Sequence, residues 1–250
     1  MLHKWWFRSL AIVIAVGASL AAAFLLLHGP LRQQIVAQTA QRSFGRLKLN
    51  LLILGYQADE ATTDTIIVAH LDVGRRTATL VSIPRDTWVS VPRAGFTKIN
   101  AAFAFGGAHV TAKVASKLLG GIPIDAIVAL QPEGAAALVN AMGGLDVNVD
   151  EAMDYDDNNG GLHVHLQKGR QHLTGSQVAG YVRFRHDLAS DFGRVRRQQQ
   201  VLKLIMNQLS EPQNWAKLPA IMKLARKQVN TTLSNAQLVS LLTVYRNVPD

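Results

Sequence analysis

The longest apolar run comes first. Positions 9–27 read SLAIVIAVGASLAAAFLLL, nineteen residues without a charge. About twenty apolar residues cross the core of a bilayer. Lys4 and Arg8 precede the run, which keeps the N-terminus cytoplasmic by the positive-inside rule. Trp5, Trp6 and Phe7 suit the interfacial belt. The pattern predicts a retained transmembrane anchor. The competing reading is a cleaved signal peptide, with Ala21-Ala22-Ala23 near the cleavage point. Either way, everything downstream is exported.

Gly29-Pro30 ends the run, and the polar, helical positions that follow read as a stalk over 28–46. Beyond it the period changes. Lys48 to Leu54 (KLNLLIL) is a buried strand stopped by Gly55. Thr65–Leu71 and Thr77–Ile83 are two strands joined by a link of hairpin length, and Pro84 ends the second. Small and apolar residues at helical spacing follow over Asn100–Phe105 and His109–Leu119. Ala126–Leu130 is a strand. Pro132–Met142 is a helix with Pro at its start and Gly143-Gly144 at its end. Leu145–Val149 and Leu162–Leu166 read as short strands around an acidic loop, Asp150–Gly161, and Gly169 marks a turn. A helical turn at Gly175–Tyr181 leads into Val182–His186. A long helix spans about Asp191–Leu209, and two amphipathic stretches follow near Trp215–Gln228 and Ser234–Tyr245. Strands interleaved with helices predict the α/β class, a sandwich around one mixed sheet. The organisation is then a cytoplasmic end (1–8), an anchor (9–27), a stalk (28–46), one domain (47–210), and C-terminal helices packed on or trailing it (211–250).

Composition narrows the chemistry. The 250 residues include no cysteine, which removes disulfides, thiolate metal sites and a cysteine nucleophile. Net charge is +9, so an anionic partner is expected: nucleic acid, anionic headgroups or a phosphorylated ligand. Export argues strongly against nucleic acid.

Three constellations concentrate the polar chemistry. In SIPRDT, Arg85 and Asp86 stand just past a strand end, where open α/β sheets place ligands. If Leu71 lies opposite Thr77, antiparallel register puts Asp64 opposite Pro84, beside both. In YVRFRHD, an extended chain would place Tyr181, Arg183 and Arg185 on one face and Phe184 on the other. Two neighbouring guanidiniums repel, and an oligophosphate would offset that through bidentate contacts. In DFGRVRRQQQ, Arg194 and Gln198 flank the apolar stripe of the helix, and Asp191 sits where it can cap the helix start. Bland readings stand beside each: a strand-end ion pair, solvated arginines and a structural cap. His163 and His165, near Asp154, Asp156 and Asp157, read as exposed histidines on a hairpin rather than a metal set.

The ordered segments LLILG, TTDTIIVAHLD, SIPRDTWVSVP, TKINAAFAFGG, ALVNAMGGLDVNVD, LQKGRQHLTGSQVAGYVRFRHD and SDFGRVRRQQQ resemble the LytR-CpsA-Psr family from about Lys48 to Leu209. The resemblance implies an α/β/α domain on the outer face of the cytoplasmic membrane. It implies a pocket for a polyprenyl-phosphate or pyrophosphate lipid. The activity it implies is transfer of a glycopolymer from the polyprenyl-pyrophosphate lipid to peptidoglycan, usually aided by Mg2+ or Mn2+. By the same resemblance Arg85, Lys98, Arg183, Arg185, Arg194 and Gln198 bind pyrophosphate, and Asp64 binds the metal. Asp86 or Asp191 would orient or deprotonate the acceptor, with Arg85 in the reacting centre. Two departures stand out. Gln57 occupies the place of a second aspartate, and Thr62 that of an arginine. Asp64 is left as the one clear metal ligand, with Asp59 or Glu60 as substitutes. A non-catalytic binder of the same lipid, acting as scaffold or regulator, and a lipid pyrophosphatase share this site as rival readings.

Overall fold

The computed structural model describes residues 30–57, 61–158, 162–186 and 190–248. The apolar run 9–27, Asp59, Glu60 and Asp187 lie outside the described residues. No described helix is long and apolar enough to cross a membrane.

The centre is a five-stranded mixed sheet. It is built from β1 (Lys48–Gln57), β2 (Thr62–Asp72), β3 (Thr77–Ser82), β6 (Ala126–Leu130) and β11 (Val229–Thr231), in the order β11-β6-β1-β2-β3. β1 and β6 are parallel; the other neighbours are antiparallel. Strand alternation decides which residue faces which layer. Leu52, Leu54, Ile66 and Val68 face one core, closed by helix α2 (Gly107–Leu118), the hairpin β4–β5 (Trp88–Val91 and Gly95–Lys98) and a 3-10 turn at Ile99–Phe103. Leu49, Leu51, Ala69 and Leu71 face the other, closed by the C-terminal helix α7 (Asn235–Tyr245). Burial on both faces is why KLNLLIL is a nearly unbroken apolar run.

A second core sits beside the sheet. It joins α3 (Pro132–Met142), β7 (Leu145–Val149), β8 (Met153–Asp157), β9 (Leu162–Leu166), β10 (Gly169–Leu173), α4 (Gly175–Arg183), α5 (Ser190–Ser210) and α6 (Leu218–Gln228). Here β7–β10 and β8–β9 form separate two-stranded sheets, as does β4–β5. The expectation of one mixed sheet therefore holds for the centre, and three small ladders are added around it. α3 and α4 approach so closely that a Cβ on Gly175 would lie 1.9 Å from the Ala136 carbonyl oxygen. Only glycine permits that contact.

The segment read as a stalk holds helix α1 (Pro30–Phe44). It is not free. Val36 and Ala40 are buried with Val73 and Val244, and the Ser43 and Ser240 hydroxyls are 2.7 Å apart. The stretch expected to be extended from Tyr181 is instead the end of α4. Thr174 and Gln177 form a capping box that starts this helix, and it runs to Arg183. Tyr181 and Phe184 are consequently both buried, rather than on opposite faces. The acidic loop is also partly a strand, since β8 pairs with β9 across it.

Candidate phosphate site

A cavity of about 440 Å³ lies between the central sheet and the second core. Its apolar wall includes Ile53, Ile67, Leu130, Val178, Val201 and Ile205. Gln57, Asp64, Arg183, Arg185, Arg194 and Gln198 also line it. An apolar slot with polar groups on its wall suits an amphiphile with a charged head.

The sheet side is set by a bulge. Gly55 pairs with Thr65, but Tyr56 pairs with Thr63, so Asp64 is the extra residue of β2. Bulges re-aim side chains. Gly55 tolerates the local crowding: a Cβ there would come within 3.0 Å of the Thr65 Cβ. Asp64 Oδ1 accepts from Arg85 Nη1 at 2.5 Å and lies 3.9 Å from Arg185 Nη2. Gln57 Nε2 donates to Asp64 Oδ2 at 2.8 Å. The expected proximity of Asp64 to Arg85 and the end of β3 is present. The β2–β3 register differs by one residue from expectation, with Leu71 opposite Ala78 and Asp72 opposite Thr77. The turn reverses inside the link through Arg76, which has a positive φ of 58°.

Arg85 also faces Asp86, its Nε lying 3.9 Å from the carboxylate without a hydrogen bond. Burial works against the Arg85 charge, but the hydrogen bond and field of Asp64, with Asp86 and Asp191, outweigh it and raise its pKa. Lys98 Nζ is 2.7 Å from Asp86 Oδ1, and this contact leads in holding the Asp86 carboxyl below its ordinary pKa. Lys98 and Asp86 thus pair with each other beside the cavity; like Arg85 and Asp191, they stand behind its lining residues rather than among them.

The helix side differs. Arg194, on the first turns of α5, is only 3 % exposed. Its Nη2 donates to Asp191 Oδ2 at 3.1 Å, while Nε and Nη1 are buried with no hydrogen-bond partner among the described residues. Asp191 lies 3.9 Å from Arg185 as well. A buried guanidinium with idle donors is costly unless an anion completes it. Arg183, at the end of α4, reaches the same cavity. Arg183 and Arg185 both line the cavity, although Arg183 is helical and Arg185 is not.

Sequence reasoning missed four supports. Arg197 is buried between the Tyr181 and Phe184 rings, its guanidinium carbon 5.8 and 5.6 Å from their centroids. It donates to the Tyr181 carbonyl at 3.0 Å and to the Phe184 carbonyl, tying the segment that carries Arg183 and Arg185 to α5. Its spacing of three from Arg194 on a helix was the available signal. Gln199 Nε2 donates to Ser82 Oγ at 2.8 Å, binding α5 to the sheet. Tyr155 stacks on His186 at 3.8 Å along the cavity. Gln57 stands out in the sequence by its position, but its hydrogen bond to Asp64 does not.

The histidines stand elsewhere. His163 pairs with Asp156 at 2.5 Å, and His165 with Asp154 at 2.6 Å, on the exposed face of the β8–β9 hairpin. The Asp154 hydrogen bond leads in raising the His165 pKa. Among the described residues no three His, Cys, Asp or Glu side chains converge as metal ligands. At Asp64 itself both carboxylate oxygens already accept from side-chain donors, and its partner is a neutral amide. Among the described residues the donor set at Asp64 does not fit a divalent cation: a single carboxylate is present there, and both its oxygens are already engaged by side-chain donors.

The LytR_cpsA_psr family model matches residues 32–250. "Polyisoprenyl-teichoic acid--peptidoglycan teichoic acid transferase TagV" of Bacillus subtilis is 32 % identical over 223 residues, 86 % of this chain and 56 % of TagV. "Regulatory protein MsrR" of Staphylococcus aureus is 32 % identical over 194 residues, 76 % of this chain and 58 % of MsrR. The chain thus spans less than two thirds of the length of these relatives. The crystal structure of B. subtilis TagV superposes with a TM-score of 0.70 at 31 % identity, covering 80 % of this chain and 79 % of that one. A structure of TagT bound to LI-WTA superposes at 0.66 with 26 % identity, covering 81 % and 76 %.

Proposed function

The chain belongs to the LytR-CpsA-Psr family, and from that premise we propose that it is a membrane-anchored phosphotransferase moving a glycopolymer from a polyprenyl-pyrophosphate lipid to peptidoglycan. The observation that carries the reading is Arg194: a buried cation on the cavity wall with two N–H donors unmet. A pyrophosphate supplies countercharge for Arg183, Arg185 and Arg194, and its oxygens complete the Arg194 donors once the guanidinium turns toward the cavity, since Nε and Nη1 are sealed from solvent in this structure. The apolar part of the cavity takes the isoprenoid tail. Residues 9–27 hold the domain against the outer face of the cytoplasmic membrane, where such lipids lie. The family's α/β/α layering agrees with helices covering both faces of the sheet.

Phosphoryl transfer depends on positioning and charge stabilisation more than on covalent help from the protein. In the proposed reaction a hydroxyl of the acceptor attacks the phosphorus that carries the glycan. The bond to the bridging oxygen breaks, polyprenyl phosphate leaves, and the proton passes to a carboxylate. Asp191 is that carboxylate, since it touches Arg194 and Arg185 of the cavity wall, whereas Asp86 is held by Lys98. Arg85 stabilises the charge that develops at the sheet side. A non-catalytic binder shares the arginines and is favoured by the amide of Gln57 standing where a carboxylate would serve catalysis.

The test is calorimetric. Replacing Arg183 and Arg185 with alanine should abolish binding of a polyprenyl pyrophosphate to the full-length protein in detergent. Unchanged affinity would sink the site.

A further inference from the structure

The sheet side of the cavity has a local charge balance that bears on how the ligand is neutralised. Among the described residues two carboxylates line the cavity, Asp157 on β8 and Asp64 on the central sheet. Two donors and a further cationic group from three separate segments surround Asp64: Arg85 Nη1 at 2.5 Å and Gln57 Nε2 at 2.8 Å donate hydrogen bonds, and Arg185 Nη2 stands 3.9 Å away as an ion pair. The Gln57 amide must present its nitrogen, because its oxygen would meet Asp64 Oδ2 as acceptor against acceptor. The β-bulge fixes this encounter, since it turns Asp64 out of the ladder while Gln57 pairs with Thr62 at the strand end.

Consider a divalent cation at this point. It would share Asp64 with two guanidiniums and feel their repulsion at short range. A second carboxylate at position 57 would offset that repulsion and supply an oxygen ligand. Glutamine carries no charge, and its N–H takes one lone pair of Asp64 Oδ2 and sets a positive amide edge where a cation would approach. Meanwhile Arg183, Arg185 and Arg194 already bring three permanent positive charges to the cavity wall.

We infer that this chain binds its phosphorylated ligand without a divalent cation, Asp64 anchoring Arg85 and Arg185 instead of a metal, with Gln57 as the residue that sets the difference. The inference rests on the pyrophosphate site proposed above. It makes Asp64 a positioning residue: it holds guanidiniums that touch the ligand.

The experiment uses the full-length protein in detergent and geranylgeranyl pyrophosphate as probe. Its affinity is measured by calorimetry in EDTA and again in Mg2+, for the natural chain and for Gln57→Asp. Separately, Mn2+ is titrated into each protein with the probe present, and free Mn2+ is read by electron paramagnetic resonance. The natural chain should keep its affinity within about twofold between buffers and lower free Mn2+ no further than the probe alone does. Gln57→Asp should gain about tenfold in affinity with Mg2+ and should deplete free Mn2+. Metal-dependent binding or Mn2+ depletion by the natural chain would overturn the inference, whether or not the variant folds. Failure to bind the probe in either buffer would overturn the pyrophosphate site itself, and the inference with it.

Discussion

The two walls of the cavity hold their arginines in opposite ways. On the sheet side, Arg85 stands behind the lining residue Asp64 and is largely matched: Asp64 bonds it and Asp86 and Asp191 add to its field, with only its Nε left without a hydrogen bond. On the helix wall, Arg194 is buried with one partner and two idle donors. A matched ion pair contributes to the fold and is disrupted at a cost in stability. An unmatched buried cation lowers stability and persists when a ligand needs it. The contrast teaches where structure ends and function begins in this site, though both walls are built of the same residue type.

Substitution on each wall should therefore give different signatures. Arg194→Met should have the largest effect on binding. Losing two charge-assisted hydrogen bonds should weaken isoprenyl-pyrophosphate affinity by about 100-fold, or ~3 kcal/mol. The melting temperature of the unliganded protein should stay level or rise, because methionine fills the volume without a charge. Calorimetry and thermal unfolding on one preparation check both parts. A variant that melts lower and binds normally would reverse the assignment of the two walls.

Arg85→Ala should be smaller in binding and opposite in stability. It leaves Asp64 with the Gln57 amide and a distant Arg185. Both partners are about a quarter to a third exposed, so water screens part of the loss. The expected cost is ~1 kcal/mol, a fall of about 2–4 °C in Tm, with affinity down by about tenfold. Equal shifts in Tm for the two variants would erase the contrast.

The sequence pattern carried the sheet wall better than the helix wall. The turn between β2 and β3 is short, so a register argument placed Asp64 beside Arg85 with an error of one residue. The bulge at Asp64 was not readable, because nothing in GYQADEATTD marks which residue is extra. On the helix wall, α5 and the inward placement of Arg194 and Gln198 followed from a 100° period. The approach to it did not. Alternation in YVRFR suggested a strand, yet the capping box at Thr174 and Gln177 starts a helix that absorbs Tyr181 to Arg183. The T-x-x-Q signal was present in HLTGSQV and loses to strand-like alternation only when read over a short window. Arg197 was passed over because a buried arginine runs against residue preference, and its carbonyl partners exist only once α4 ends where it does. The alternation in LDVNV and LHVHL marks strands but does not name their partners, and the pairings of β7 with β10 and β8 with β9 exist only in the fold.

The most direct measurement is turnover by the full-length protein in a lipid bilayer, given a polyprenyl-pyrophosphate glycan and peptidoglycan. The account predicts that glycan becomes covalently attached to peptidoglycan as polyprenyl phosphate is released in equal amount, and that Arg194→Met loses both products. Tight binding of the glycolipid with no release of polyprenyl phosphate would contradict it and leave a binding protein in place of a transferase.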